Sequence, residues 1–498
     1  MVEKKIFGKW RQRLWPVQLF ELKKLIPLLF LKFFINCNYT ILTTLKDTLI
    51  ITEKGSGAEV IPVLKGGLVL PFAVIVTLIY SKLVNRFRRE TLFYGIVLSF
   101  LTFVLFYAYI LYPNKELFSP NQSADWLLSV IGQKYSHWIS LYRNWMQSLF
   151  FVFTELWGGV GIFILFWGFV NQITLLDEAK RFYTLFIAVG DIALLAIGPV
   201  ISYHSLQSTN FVLSIQTLSN YIFVFSFLIM GLHWWLHHYV LKDKKFYDPS
   251  KINATEETTK LSLIDSLKFI ASSKYLRYLA IMVVSYGFTI NLIEVSWKAN
   301  LKLLYPNSAE YNAFYSNVLS AVGFFSLLVS FFFSGGIIRW LGWHFSAQIA
   351  PIVVGSSGLI FLLLLIAKDF LTPITALLGV SPLLIIVFYG AFQNVLSKVV
   401  KYCFFDPTKE MAFIPLDQES KIKGKAAVDV IAARFGKSGA AWVQLAFIEI
   451  GGTGSLLSVT PYLIPFLTAT LLFWIYSVFS LQKRFMKKTE GLPENPAF

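Results

Sequence analysis

The sequence predicts an all-helical integral membrane protein, and composition, apolar runs and charge distribution support this fold class. Hydrophobic residues make up 56% of the 498 positions and charged residues 14%, whereas soluble domains have about 25% charged residues. Apolar runs of the length that crosses a hydrocarbon core, about 20 residues, recur along the whole chain. We therefore expect no soluble enzyme.

The apolar runs predict about twelve spans in two sets of six. The first set covers 25–45, 61–81, 92–112, 148–170, 182–203 and 218–239, and the second covers 276–296, 311–333, 347–367, 380–400, 426–450 and 460–481. The predicted domains are an N-terminal segment at 1–24, a first six-helix half at 25–239, a linker at 240–275, a second half at 276–481 and a tail at 482–498.

Basic residues explain the net charge of +16. They crowd into alternate loops, beginning with the N-terminus, whereas the loop at 204–219 contains none. Cytoplasmic loops of membrane proteins carry such an excess of Lys and Arg. Both termini are therefore predicted to be cytoplasmic, with the lipid bilayer rather than nucleic acid as the partner. Because Met1 to Gln18 lacks the apolar core of a signal peptide, the predicted location is a bacterial inner membrane.

Two short repeats indicate that the halves are duplicated. Tyr39-Thr40-Ile41 is echoed by Phe288-Thr289-Ile290 at an offset of 249, and Ala179–Phe182 by Ala432–Phe435 at an offset of 253. Parallel halves with a substrate site between them near the midplane are the arrangement of major-facilitator-type carriers. At the first offset, Lys46 lies one position from the counterpart of Glu294.

Charged residues inside the predicted spans are the strongest functional signal. Lys46 and Asp47 lie at the end of the first span, Glu155 in the fourth and Glu294 in the seventh. A Lys or Asp at the centre of a membrane helix costs about 2.5–3.5 kcal/mol on insertion scales. Retention of these charges implies a partner, water or a ligand.

Each charge also has a purely structural interpretation. For Glu155, the strongest functional case, the structural alternative is an internal salt bridge, and for Glu294 it is a pair with Lys298 one helical turn later. Lys46 has Asp47 beside it, or its side chain reaches outward to the interface. The basic run Lys421, Lys423 and Lys425 follows from cytoplasmic topology alone.

Other motifs predict no enzymatic site. Gly436-Lys437-Ser438 lacks both the first glycine and the preceding strand of a phosphate-binding loop. His233, His237 and His238 follow Trp234 and Trp235 at the end of a span, where interfacial anchoring is expected. Cys37 is predicted to lie in a membrane span and Cys403 in the cytoplasm, so no disulfide is expected. We expect no catalytic residues, no metal and no cofactor.

The chain resembles the bacterial and plastid type of ADP/ATP translocase, the nucleotide transporters of obligate intracellular bacteria and plant plastids. The resemblance covers nearly the whole chain. Its motifs are Asn38–Leu42 with Lys46-Asp47, Gly57–Pro62, Glu155–Gly158, Leu165–Phe169 with Asn171–Thr174, Glu178–Tyr183, Asn291–Val295, Phe405–Asp417 and Lys423–Ala427.

The resemblance implies a major-facilitator-like carrier that exchanges ATP for ADP by alternating access. The functionally important charges of the family match Lys46, Glu155, Glu294 and Lys425. The two lysines would offset phosphate charge, and the two carboxylates would hold them when the site is empty. Further possible substrate contacts are Tyr39, Asp47, Phe166, Asn291 and Lys423.

Two departures from the family pattern leave the substrate open. Thr43 stands where the exchangers have an arginine, and Asp191 introduces a carboxylate into the fifth span. Both changes point to altered selectivity or proton coupling. The alternative is therefore an importer of GTP, UTP, nucleoside triphosphates in general or NAD. A passive channel would instead give flux that is independent of internal nucleotide. Oligomeric state is not predicted.

Overall fold

The computed structural model describes residues 17–247, 263–417, 420, 424, 425, 427–452 and 454–489. Within these residues the chain forms helices and connecting turns, and no strand occurs. Parts of the predicted N-terminal segment, linker and tail lie outside the described residues. The predicted domain boundaries stay a prediction.

Eleven long helices form the bundle, of which all but α10 are long and apolar enough to cross a membrane. They are α1 Leu19–Thr52, α2 Val60–Val84, α3 Arg89–Leu111, α4 Trp145–Ile173, α5 Arg181–Gln207, α6 Phe211–Val240, α7 Lys274–Leu304, α8 Ser308–Ile366, α9 Pro382–Phe413, α10 Ala433–Gly451 and α11 Leu456–Lys487. Shorter helices are Lys115–Phe118, Asn121–Ile131, Ser136–Arg143, Leu263–Ser272 and Lys368–Leu377.

The ten candidate spans differ from the predicted twelve for two reasons. Helix α8 joins two predicted spans, and the break between them is at Gly342, whose φ of 76° only glycine adopts readily. Helix α10 contains most of the predicted eleventh span, but Arg434, Lys437 and Glu449 reduce its apolar character. The predicted count therefore includes both parts of α8 as well as α10.

Two large hydrophobic clusters hold the helices together. One is built mainly from buried residues of α1 and α3 to α6, between Val17 and Phe246. The other is built mainly from residues of α7 to α11, with additional members from α1, α2 and α4. Five of the first six helices therefore share a core, whereas the buried members from α2 belong to the second cluster.

Helices α5 and α8 pack closely across the boundary between the halves. A methyl group at Gly323 of α8 would lie 2.5 Å from the main-chain oxygen of Asp191 in α5. Glycine therefore allows the two backbones to approach. This contact brings the first half, residues 17–247, against the second half, residues 263–489.

Candidate substrate site

A buried ion-pair cluster forms where α1 meets α4. Lys46 Nζ of α1 lies 2.9 Å from Asp47 Oδ1 and 3.1 Å from Glu155 Oε1 of α4. The Lys46 and Asp47 side chains are 5% and 1% exposed, so both charges are removed from solvent. Lys46 also lies 4.3 Å from the centre of the Phe151 ring. The sequence-predicted residues Lys46, Asp47 and Glu155 therefore share one site.

Helix α7 of the second half completes this cluster. Lys298 Nζ lies 2.8 Å from Asp47 Oδ2 and 3.0 Å from Glu294 Oε1. The Tyr315 hydroxyl of α8 donates to the same two carboxylates, at 3.2 Å and 3.4 Å. Asp47 is thus held by one lysine from each half.

The structural interpretations of Lys46 and Glu294 are therefore correct in their contacts, because both predicted pairs form. They do not explain the whole arrangement, since Asp47 links the Lys46 pair to the Lys298 pair across the boundary between the halves. Of the four charges that match the family pattern, this network contains Lys46, Glu155 and Glu294. Asp47 links them.

Sequence reasoning missed two lysines of the site. Lys65 of α2 donates to Asn291 Oδ1 of α7 at 2.7 Å. Lys398 of α9 lies 3.7 Å from Glu294 Oε1. Lys398 lies near the cytoplasmic end of a predicted span, so topology alone explained its charge, whereas Lys65 lies at the start of the second predicted span and was not singled out. A signal was present in the neighbouring Asn291, an amide buried within a span.

The cluster, defined as Lys46, Asp47, Lys65, Glu155, Glu294, Lys298 and Lys398, carries four lysines against three carboxylates. A buried charge needs a partner to offset the cost of desolvation. Most of these charges are paired internally, and one positive charge remains in excess. A site of this composition accepts an anion more readily than a cation.

Tyr39 and Thr43 lie on the same helix as Lys46. A methyl group at Gly158 of α4 would lie 2.8 Å from Tyr39 Cε2, so glycine makes room for the Tyr39 ring one turn beyond Glu155. Thr43 follows Tyr39 by four positions, which places it one helical turn further along. Asn291 is 4% exposed and also donates to the Gly287 carbonyl.

Asp191 lies in α5, away from the contacts of the cluster. It is 7% exposed. The positive charges of Lys32 and Lys401 interact electrostatically with its carboxylate. Lys32 lies 5.0 Å and 5.7 Å from the centres of the Phe166 and Trp167 rings. Asp191 and Phe166 therefore belong to a second charged region beside α1 rather than to the cluster.

Lys425 is not brought into the cluster by the structure. Its Nζ lies 2.5 Å from Glu410 Oε2, and the two side chains are 49% and 46% exposed. Its position after α9 explains the separation, because the chain has left that helix before reaching Lys425. Lys423, like Lys421, lies outside the described residues.

Further hydrogen bonds join the later parts of α1 and α5 to the beginning of α8. Thr48 donates to Asn312 at 3.0 Å, and the hydroxyls of Thr52 and Ser308 are 2.7 Å apart. Asn312 in turn donates to Ser205 at 2.9 Å. Among the described residues, positions 22–45 of α1 make no hydrogen bond with the second half. The halves are thus joined at one end of the bundle.

A loop helix extends this junction. His137 Nε2 and Trp138 Nε1, in Ser136–Arg143, lie 2.9 Å and 2.7 Å from Glu449 Oε1 of α10. Glu449 is therefore held at the same end of the bundle as Thr52 and Ser308.

The remaining motifs contribute no metal site. The His233 ring stacks on Phe93 at 3.8 Å between centres, and His237 Nδ1 lies 2.9 Å from Glu90 Oε1. Within the described part of the chain, no group of three potential metal ligands occurs. Cys37 and Cys403 are both free and buried.

Ion pairs buried between two halves of a membrane helical bundle are typical of transporters, and the arrangement of the helices is that of the major-facilitator fold. Two solved structures share the fold: a mutant form of the nucleoside transporter NupG (13% identity, TM-score 0.55, 94% of this chain and 99% of that one) and a bacterial homologue of the lysosomal transporter Spinster (11% identity, TM-score 0.52, 95% and 99%).

The chain belongs to the TLC ATP/ADP transporter family, whose profile matches residues 1–485. ADP,ATP carrier protein 1 of Chlamydia trachomatis is 42% identical over 97% of this chain and 92% of its own length. ADP,ATP carrier protein 1 of Rickettsia prowazekii is 36% identical over 95% and 96%. ADP,ATP carrier protein 1, chloroplastic, of Arabidopsis thaliana is 39% identical over 97% and 76%.

Proposed function

We propose that this multi-pass membrane protein exchanges ATP for ADP across a bacterial inner membrane by alternating access around the cluster. The observation that carries the proposal is the placement of Asp47 between Lys46 of its own half and Lys298 of the other half. A nucleotide brings several negative charges, which compete with the carboxylates for the same lysines. Substrate binding thereby loosens the link between the halves.

One-for-one exchange follows from the cost of an empty site. With no nucleotide bound, the lysines return to Asp47, Glu155 and Glu294, and these pairs stabilise the arrangement in which they form. Bound nucleotide of either kind replaces the pairs and lowers the barrier to the opposite arrangement. The carrier therefore changes between its two arrangements most readily when a nucleotide is bound.

The proposed orientation places both termini in the cytoplasm, following the excess of basic residues in alternate loops. The joined end of the bundle, at Thr52 and Ser308, then faces outward. The arrangement with the cluster pairs formed is therefore closed to the outside. We propose that residues 25–239 and 276–481 move as the two halves, connected by the linker at 240–275.

The remaining predicted residues have proposed roles around this path. We propose that Tyr39 stacks on the base and that Asn291 bonds it, whereas the fully buried Phe166 of the second charged region is assigned no contact with the base. Lys425 provides positive charge at the cytoplasmic entrance, and Lys423 is proposed as a further substrate contact. Thr43 and Asp191 tune selectivity or coupling, since neither matches the family pattern.

Competition and coupling test this proposal directly. Bacteria that express the protein are given labelled ATP together with unlabelled ADP, GTP, UTP or NAD, at two external pH values and with an uncoupler. An ATP/ADP exchanger is inhibited by ADP alone among these competitors and is insensitive to pH and uncoupler. Inhibition by another nucleotide or dependence on a proton gradient would contradict the proposal. It would instead indicate that Thr43 and Asp191 set selectivity or coupling.

A further inference from the structure

The four lysines of the cluster fall into two kinds. Lys46 and Lys298 each contact two carboxylates within about hydrogen-bonding distance, at 2.9 Å and 3.1 Å and at 2.8 Å and 3.0 Å. The contact found for Lys65 among the described residues is the neutral Asn291 amide at 2.7 Å. Lys398 reaches Glu294 only at 3.7 Å, and Glu294 is already paired with Lys298.

The weakly paired lysines account for the excess charge of the site. Both lysines are partly buried, and the side chain of Lys398 is 19% exposed. Neither ammonium is therefore fully hydrated. An amide oxygen satisfies one donor of an ammonium, and the charge of Lys65 is offset only by carboxylates that lie beyond salt-bridge distance, Glu294 and Glu155. An anion that enters the site is therefore attracted first to these two side chains.

The positions of both lysines suit a chain of phosphates. Lys65 contacts Asn291 and Lys398 contacts Glu294, three positions further along α7. Side chains three positions apart on a helix are separated by about 5–6 Å at Cβ. Lys65 belongs to the first half and Lys398 to the second, so each half supplies one ammonium group beside neighbouring points of α7.

We propose that Lys65 and Lys398 bind the polyphosphate of the nucleotide first, each from its own half, while Lys46 and Lys298 hold the carboxylates of the cluster until the bound nucleotide replaces those pairs. This assignment rests on the proposed nucleotide carrier and names its phosphate subsite. It departs from the expectation that Lys46 and Lys425 offset phosphate charge, because Lys46 is paired twice and Lys425 is outside the cluster. A longer phosphate chain engages both lysines, so ATP binds more tightly than AMP.

Binding to the purified full-length protein in detergent tests the assignment. The probes are ATP, AMP and inorganic tripolyphosphate, measured by titration calorimetry on the wild type, Lys65→Gln and Lys398→Gln. Lys65→Arg keeps the charge, and Lys368→Gln removes a charge from an exposed lysine outside the cluster. Loss of a hydrogen bond to a charged group corresponds to an affinity loss of about 10- to 100-fold.

We expect that loss of affinity for ATP and tripolyphosphate in both glutamine variants, and a smaller loss for AMP. The Lys368→Gln variant should bind all three probes like the wild type. The ratio of ATP to AMP affinity separates a phosphate contact from a general structural defect, which lowers both affinities alike. Lys65→Arg should recover most of the ATP affinity because the charge remains. If Lys65→Gln does not fold, Lys398→Gln decides the result, since its side chain is partly exposed.

Two outcomes overturn the assignment in different ways. If the wild type binds ATP and both glutamine variants bind it with the same affinity, the phosphate subsite is rejected and the proposed carrier stands. A wild type that binds neither ATP nor tripolyphosphate would reject the subsite and the proposed function together.

Discussion

Asp47 and Lys298, which are 251 positions apart in the chain, form a 2.8 Å salt bridge between the two halves. This separation lies between the repeat offsets of 249 and 253 seen in the sequence. The regular helices that carry the two residues, Leu22–Thr52 and Lys274–Leu304, each contain 31 residues. The two helices that the sequence predicts to be repeats therefore face each other near corresponding positions with opposite charges.

The Asp47–Lys298 pair should be energetically coupled. Asp47→Asn and Lys298→Gln each break a buried pair, and such a change costs about 3–5 kcal/mol. The double variant removes both charges and should lose less stability than the two single variants together. Thermal unfolding of the purified variants in detergent measures the coupling, and strictly additive losses would contradict it.

Lys46→Ala should abolish most exchange while the protein is still expressed. The substitution leaves Glu155 and Asp47 without their shared lysine, and the repulsion between these carboxylates opposes nucleotide binding. We expect initial ATP uptake to fall by at least about 10-fold, which corresponds to one lost charged hydrogen bond.

Initial rates at equal amounts of protein in the membrane provide the measurement. Lys54→Ala, at an exposed lysine beyond α1, is the matched control and should behave like the wild type. Wild-type KM and maximal rate in Lys46→Ala would remove Lys46 from the transport path.

A disulfide at the joined end should lock the carrier. The hydroxyls of Thr52 and Ser308 are 2.7 Å apart, so cysteines at both positions can meet the distance that a disulfide requires. Mild oxidation of the double-cysteine variant should block uptake, and reduction should restore it. Each single-cysteine variant is a control, because the native Cys37 and Cys403 are buried. Undiminished uptake by the cross-linked protein would show that this end does not open.

Lys425→Ala should separate function from stability. The Lys425–Glu410 pair is half exposed, and surface ion pairs contribute about 0–1 kcal/mol. We expect an unfolding temperature close to that of the wild type, in contrast to Lys298→Ala in the buried pair. Reduced uptake with intact stability would fit a role at the cytoplasmic entrance, whereas normal uptake would exclude one.

The sequence was sufficient to predict the helical fold and several charged residues of the cluster. Lys46, Glu155 and Glu294 were identifiable because a charge in an apolar span has few explanations. The Glu294–Lys298 pair was predictable from helical spacing. Both kinds of inference depend only on residues that are neighbours in one helix.

Contacts between distant helices were not predictable in the same way. Lys65 and Asn291 are 226 positions apart, and no local pattern links them. Lys425 was selected by family resemblance, which identifies a residue type in a motif but does not give its distance from the cluster. The count of spans was uncertain where α8 turns at Gly342 and where charges interrupt α10.

Exchange in a defined system tests the central claim most directly. Proteoliposomes that contain the purified protein are loaded with ADP or with buffer alone, and uptake of labelled ATP is followed in each. The proposed carrier predicts rapid ATP uptake only with internal ADP, accompanied by release of one ADP for each ATP. Equal uptake into both kinds of vesicle, or no uptake into either, would contradict an ATP/ADP exchanger.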